Sequence, residues 1–213
     1  MNDTESAAPV LHGSAAVAVV LASASPARRA LLRRAGVVAT SDAAHVDEAE
    51  VKASLRAEGA TAGQAAETLA ELKAQRVSRR QPGSLVIGAD QILDCDGTWF
   101  DKPADRGQAA VHLRSLSGRR HVLATSVCVV RDGTRLWHHT AAAGLEVRPL
   151  DDAFIEAYLD AAGDDMLASV GAYRLEGLGA QLFSRIDGDY FTILGLPLLP
   201  LLDFLRGHGV IPR

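Results

Sequence analysis

A chain of 213 residues, 48% hydrophobic and 23% charged, is long enough to bury one sizeable core or two small lobes. Its net charge of -4 gives no electrostatic footprint for DNA or RNA as a polymer, so its basic groups must act locally, on a small ligand. Cys95 and Cys128 are too few and too far apart for a disulfide framework or a zinc site, and read as buried thiols of a reducing compartment.

Residues 1–16 contain acidic residues and no basic region ahead of an apolar stretch, so they read as a flexible segment and not a signal peptide, in front of a single domain over 17–213. No run approaches the length of a membrane span, and the expected location is the cytoplasm, without a membrane partner. Val17 to Ala22 reads as a buried strand. Ser25 is then a good N-cap and Pro26 fits the first helical position, with Gly36 as the stop. Asp47 to Gly59 forms a short helix, and Thr61 with Gln64 makes a capping box for a longer one running to about Arg80. Ser84 to Leu93 is a continuous apolar run broken by Gly88 and Asp90, as in a central strand. Asp96-Gly97 and Asp132-Gly133 mark hairpins, the second between His121 to Arg131 and Thr134 to Arg148. Helices are expected from Asp105 to Gly118, over Asp151 to Ala161 and over Pro197 to Arg206, with a strand at Gln181 to Ile186. The alternation predicts an α/β fold with a mixed, twisted sheet and flanking helices.

Two features carry chemistry. The turn after the first strand joins free helix-end N–H groups to Ser23, Ser25, Arg28 and Arg29, a combination suited to an anion, although a capped helix with solvated arginines has the same look. Asp90 inside Leu85-Val-Ile-Gly-Ala-Asp-Gln-Ile-Leu93 is expensive to bury unless it is paired, ligates a metal or acts as a base. Lys73, on a helix, reads by itself as a solvated residue. Lys102 precedes Pro103, which holds it extended and able to present its ammonium to a cleft. His138 and His139, adjacent in a strand, must point to opposite faces and cannot easily share a metal.

The order and spacing of these segments resemble the Maf-like nucleoside triphosphate pyrophosphatases. The resemblance runs from about Val17 to Leu205. It rests on Ser23, Ser25, Pro26 and Arg28, with Ala27 in place of an arginine, and on Val46-Asp47-Glu48 and Leu69-Ala-Glu-Leu-Lys-Ala74. It continues through Gly88-Ala-Asp-Gln91, Lys102-Pro103, Leu116-Ser-Gly118, Leu175-Glu-Gly-Leu-Gly179 and Gly195-Leu-Pro197. Asp101 stands where many relatives have glycine.

The resemblance implies two lobes around a nucleotide cleft and a house-cleaning hydrolase that cuts a nucleoside triphosphate between its α and β phosphates. It casts Asp90 as general base, Lys73 and Lys102 as catalytic cations, Ser23 and Arg28 as phosphate ligands, and Glu48 with Asp90 as ligands of Mg²⁺ or Mn²⁺. Gln91 and Glu176 match the branch that acts on 7-methyl-GTP, while Ala27 and the segment Asp187 to Phe191 depart from it. A homodimer is the arrangement relatives often adopt. The family also contains members linked to arrest of cell division and septum formation, so a nucleotide-binding regulator with little turnover is the alternative reading. Loss of Asp90, Lys73 or Lys102 would mark such a regulator, and all three are present.

Overall fold

The molecule is built on one mixed sheet, described by a computed structural model that covers Leu11, Gly13 and residues 15–213. The segment 1–16 lies mostly outside the described residues; within it, the N–H groups of Gly13 and Ala15 donate to the carbonyls of Val210 and Gly209 at 3.1 and 2.9 Å. The strands are β1 (Val19–Leu21), β2 (Thr40–Ser41), β3 (Leu85–Cys95), β4 (Thr98–Phe100), β5 (Arg120–Arg131), β6 (Thr134–Val147) and β7 (Phe183–Asp187). Their order is β2-β1-β3-β5-β6-β7, with β4 beside the outer half of β3. Only the β2-β1-β3 pairs are parallel. Asp96-Gly97 and Asp132-Gly133 close the β3–β4 and β5–β6 hairpins with positive φ at both central residues, the type I′ geometry that follows strand twist.

The helices are α1 (Pro26–Arg34), α2 (Glu48–Ala57), α3 (Ala62–Ser78), α4 (Arg106–Leu116), α5 (Asp152–Ala162), the single turn α6 (Tyr190–Ile193) and α7 (Leu198–Gly207). Ser25, Asp47, Thr61, Asp105 and Asp151 each accept a backbone N–H at the start of a helix, and Thr61 with Gln64 completes the capping box. Gly36, at φ 73°, ends α1 with bonds from Gly36 N to Arg33 O and from Val37 N to Leu32 O, a Schellman closure.

The long strands pass through two apolar regions. At one end Val19, Leu21, Leu85, Ile87, Val127 and Val129 pack with α1 and α7. At the other end Leu93, Leu123, Leu145 and Val147 pack with α4 and α5. Along β3, Asp90 and Gln91 lie between the two regions. Helix α3 covers the opposite face from α1 and α7, with Val20, Ala22, Val86, Cys128 and Val130 beneath Ala70, Ala74 and Val77. Both cysteines are buried and unpaired. No helix among the described residues is long and apolar enough to cross a membrane.

One expected element is corrected. The strand begins at Phe183, not Gln181, because Leu178–Leu182 is a 3₁₀ helix. Gly179 turns there so close to Arg174 that a Cβ would come within 2.4 Å of the Arg174 carbonyl oxygen, and pairing with β6 starts only at Val147 opposite Phe183.

Candidate active site

The site begins with how closely α3 approaches β3. A Cβ on Gly88 would lie 2.0 Å from the Ala70 carbonyl oxygen and 2.8 Å from the Ala74 nitrogen. Gly88 and the fully buried Ala66, Ala70 and Ala74 thus let the helix settle directly on the strand. Asp90 follows Gly88 by two residues and so faces the same helix. Lys73 projects from α3 and meets it: Nζ lies 2.5 Å from Asp90 Oδ1 and 2.7 Å from Glu48 Oε1, at the start of α2. The lysine that sequence alone would leave in solvent is buried, as is Asp90.

One oxygen of Asp90 is therefore spoken for and the other is not. Oδ2 is buried and accepts no hydrogen bond. A buried carboxylate oxygen without a partner is costly unless something else meets it, such as a water or a cation. Glu48 is half exposed. Burial raises its carboxyl, but Lys73, Lys52 and Arg28 outweigh this and hold it below the usual carboxylate range.

Three more cations or donors complete the group. Ser23 Oγ accepts from the Ser25 N–H at 3.2 Å and from Arg28 Nη1 at 3.3 Å. Arg28 also donates from Nε to the Gly195 carbonyl (2.7 Å) and from Nη1 to the Ala89 carbonyl (2.9 Å), so it pins α1 to β3 and to the Gly195-Leu-Pro197 turn. Its Nη2 has no protein partner among the described residues. Burial lowers the Arg28 guanidinium from its ordinary value, against the pull of Asp90 and Glu48. The Lys102 ammonium is lowered as well, first by burial and then by Arg28 and Lys73, with Glu48 and Asp90 opposing. Lys102 thus shares an electrostatic environment with all four residues.

Residues 18–208 match the sequence model of the family described as Maf-like protein. The chain belongs to the Maf-like family. It is 57% identical over 190 residues to a nucleoside triphosphate pyrophosphatase of Paramagnetospirillum magneticum, covering 89% of this chain and 98% of the relative. It is 56% identical over 193 residues to one of Rhodospirillum rubrum, covering 91% and 96%. A 7-methyl-GTP pyrophosphatase of Rhizobium meliloti is 50% identical over 193 residues, covering 91% and 97%.

In this Maf-like chain, Ser23, Arg28, Glu48, Lys73 and Asp90 come together, and the exposed Lys102, on the segment after β4, lies within electrostatic reach of Arg28, Glu48, Lys73 and Asp90, whereas the two residues expected to read a base do not join them by hydrogen bonds. Gln91 faces the other side of the sheet from Asp90. Its Nε2 donates to Thr125 Oγ1 (2.8 Å) and to the carbonyls of Thr192 (3.0 Å) and Ile193 (3.2 Å). Carbonyls only accept, so these contacts fix the amide and leave Oε1 as the free acceptor. Glu176 Oε1 accepts from Arg174 Nε at 3.0 Å, and Arg174 Nη1 reaches Asp165 at 3.1 Å. Sequence reasoning missed Thr125 and Thr192, which orient Gln91. Their only sequence signal is a Thr-Ser pair within the apolar middle of β5 and a short α6 capped by Asp189.

His138 and His139 occupy opposite faces, as predicted. His138 meets Glu67 on α3, and His139 stacks near Trp137 above α7. Among the described residues no three His, Cys, Asp or Glu side chains gather into a metal cage. The buried, unpartnered Oδ2 of Asp90, whose carboxylate shares Lys73 with Glu48, still fits a hard divalent cation, which commonly takes one or two carboxylates and completes its shell with water and substrate phosphates.

Proposed function

We infer that this chain is a nucleoside triphosphate pyrophosphatase. The observation that carries the reading is Asp90: one oxygen is held by Lys73 and the other, buried, has no partner, within a group containing three cations. Water adds across the bridge between the α and β phosphates, giving the monophosphate and pyrophosphate. Asp90 Oδ2 accepts the proton of that water while Lys73 fixes the carboxylate through Oδ1. Arg28 Nη2, Lys102 and Lys73 offset the charge that develops on the phosphates, and Ser23 with the α1 amides grips the chain of phosphates. Glu48 and Asp90 would hold Mg²⁺ or Mn²⁺, which when bound polarises phosphate oxygens and lowers the pKa of water. Unpaired buried thiols suit the cytoplasm, where nucleotide pools lie. The test is a panel of nucleoside triphosphates with Mg²⁺ or Mn²⁺, scoring pyrophosphate apart from phosphate. Phosphate without pyrophosphate, or no product from any nucleotide, refutes the reading.

Lys102 must be charged to meet phosphate, and its depressed value means that its proton leaves at lower pH than for an ordinary lysine. Activity should therefore fall at alkaline pH, through a limb below the ordinary lysine value. Lys102→Arg should move that limb upward, since guanidinium stays charged. Lys102→Ala should slow every accepted nucleotide without reordering the bases. A reordered base preference, or a limb that does not move in Lys102→Arg, would transfer Lys102 to another role.

For the base, we propose a guanine-type nucleotide. Gln91 Oε1 and the second oxygen of Glu176 are acceptors, and a guanine edge offers an exocyclic amine and a ring N–H where uracil or thymine offers one donor. Glu176→Gln should lower kcat/KM for GTP and 7-methyl-GTP relative to UTP and dTTP by about tenfold, the size of one hydrogen bond to a charged group. A uniform drop on all four, with a lower Tm, would assign Glu176 a purely structural part beside Arg174.

A further inference from the structure

Helix α2 carries Glu48 into the site but is weakly seated. None of its residues is fully buried; Val51 and Leu55 are partly buried against the cluster formed by Ala62, Ala65, Ala66, Leu69, Ile92 and Ala124. Besides the Glu48–Lys73 pair to α3, its other attachments run to the segment that carries Lys102. Lys52, one turn after Glu48, places Nζ 2.6 Å from Asp101 Oδ1 and 4.0 Å from Glu48 Oε2. One turn further, Arg56 lies over the Trp99 ring at 4.7 Å and donates to the Trp99 carbonyl at 3.4 Å. Asp101 immediately precedes Lys102. The ion pair therefore joins the element that supplies a carboxylate to the element that supplies a phosphate cation.

We propose that Lys52 and Asp101 are positioning residues, a strut across the mouth of the cleft that holds Glu48 and Lys102 at a fixed separation around a bound polyphosphate. The reading rests on the proposed function for its ligand, and on geometry for the strut itself. Asp101 is well exposed while Lys52 is mostly covered, so the pair is a surface bridge of modest strength. Modest strength suffices on a helix with no buried residue, where a few contacts set the docking equilibrium. A surface bridge changes such an equilibrium by about fivefold at most, and 1 M salt, with a screening length of about 3 Å, weakens a contact of 2.6 Å without abolishing it.

The experiment uses the full chain as wild type, Asp101→Asn and the conservative Asp101→Glu. Hydrogen exchange should rise about three- to fivefold over residues 48–57 in Asp101→Asn and stay unchanged over 62–78. Calorimetric affinity for inorganic pyrophosphate with Mg²⁺ should fall by a similar factor, KM for the best triphosphate should rise, and kcat should stay within about twofold. Asp101→Glu should restore all of these, and 1 M NaCl should narrow the difference between wild type and Asp101→Asn. Unchanged exchange in α2, an unchanged pyrophosphate affinity, or a defect that 1 M salt does not narrow at all overturns the strut. A wild type that binds pyrophosphate but hydrolyses no nucleotide leaves the strut standing and removes only the enzymatic reading. A wild type that binds no pyrophosphate overturns the strut and leaves the enzymatic reading to the nucleotide panel.

Discussion

Asp90→Asn should lose turnover by roughly 10² to 10⁴ while still binding nucleotide, the range over which a positioned general base contributes. The amide keeps the size of the carboxylate and an oxygen that can accept from Lys73. It loses basicity, and it loses the charge that would help hold a divalent cation. Lys73 remains paired with Glu48 at 2.7 Å, so the ammonium is not stranded and the fold should survive with a Tm lower by only a few degrees. Pyrophosphate release measured at saturating metal gives the rate, and calorimetry with a non-hydrolysable triphosphate gives the binding. A rate within twofold of wild type would take the base role away from Asp90, whereas loss of both rate and binding would make its charge a binding group first.

Much of the fold was legible because its signals are local. Ser25, Asp47, Thr61, Asp105 and Asp151 each cap a helix through bonds to residues three positions on, and Asp96-Gly97 and Asp132-Gly133 carry the positive φ that their turns need. The 3₁₀ helix at Leu178–Leu182 was not legible, since it depends on Gly179 meeting Arg174 across a folded-back segment. The site divides in the same way. Asp90 announces itself as a charge in an apolar run. Lys73 does not, because its burial depends on Gly88 and the α3 alanines allowing helix and strand to touch, and without the family resemblance a helical lysine reads as solvated. The Arg28 bond to Gly195 joins residues 167 apart and has no local signature at all. Strand alternation puts Asp90 and Gln91 on opposite faces, but the partners that then fix the Gln91 amide come from β5 and α6, which periodicity cannot supply.

Lys73→Met tests the same pair from the other side and should be the most destabilising of these substitutions. The methionine fills the volume of the lysine stem but leaves Asp90 buried at 4% exposure with no cation on Oδ1, and with Glu48 nearby as a like charge. Breaking a buried ion pair by removing one partner costs about 3 to 5 kcal/mol. The contact to Glu48 adds little, because Glu48 is 43% exposed and solvent screens it. At about 2 to 4 °C per kcal/mol for a chain of this size, Tm should fall by roughly 6 to 20 °C. Turnover should collapse with it, since the same ammonium orients Asp90 and faces the phosphates. The decisive comparison is the double variant Lys73→Met with Asp90→Asn. Neutralising the stranded carboxylate removes the penalty, so the double variant should melt above Lys73→Met alone, a non-additivity expected only of directly coupled groups. A double variant that melts at the sum of the two single losses, or a Lys73→Met protein within about 2 °C of wild type, would mean that the Lys73–Asp90 pair does not hold the site together.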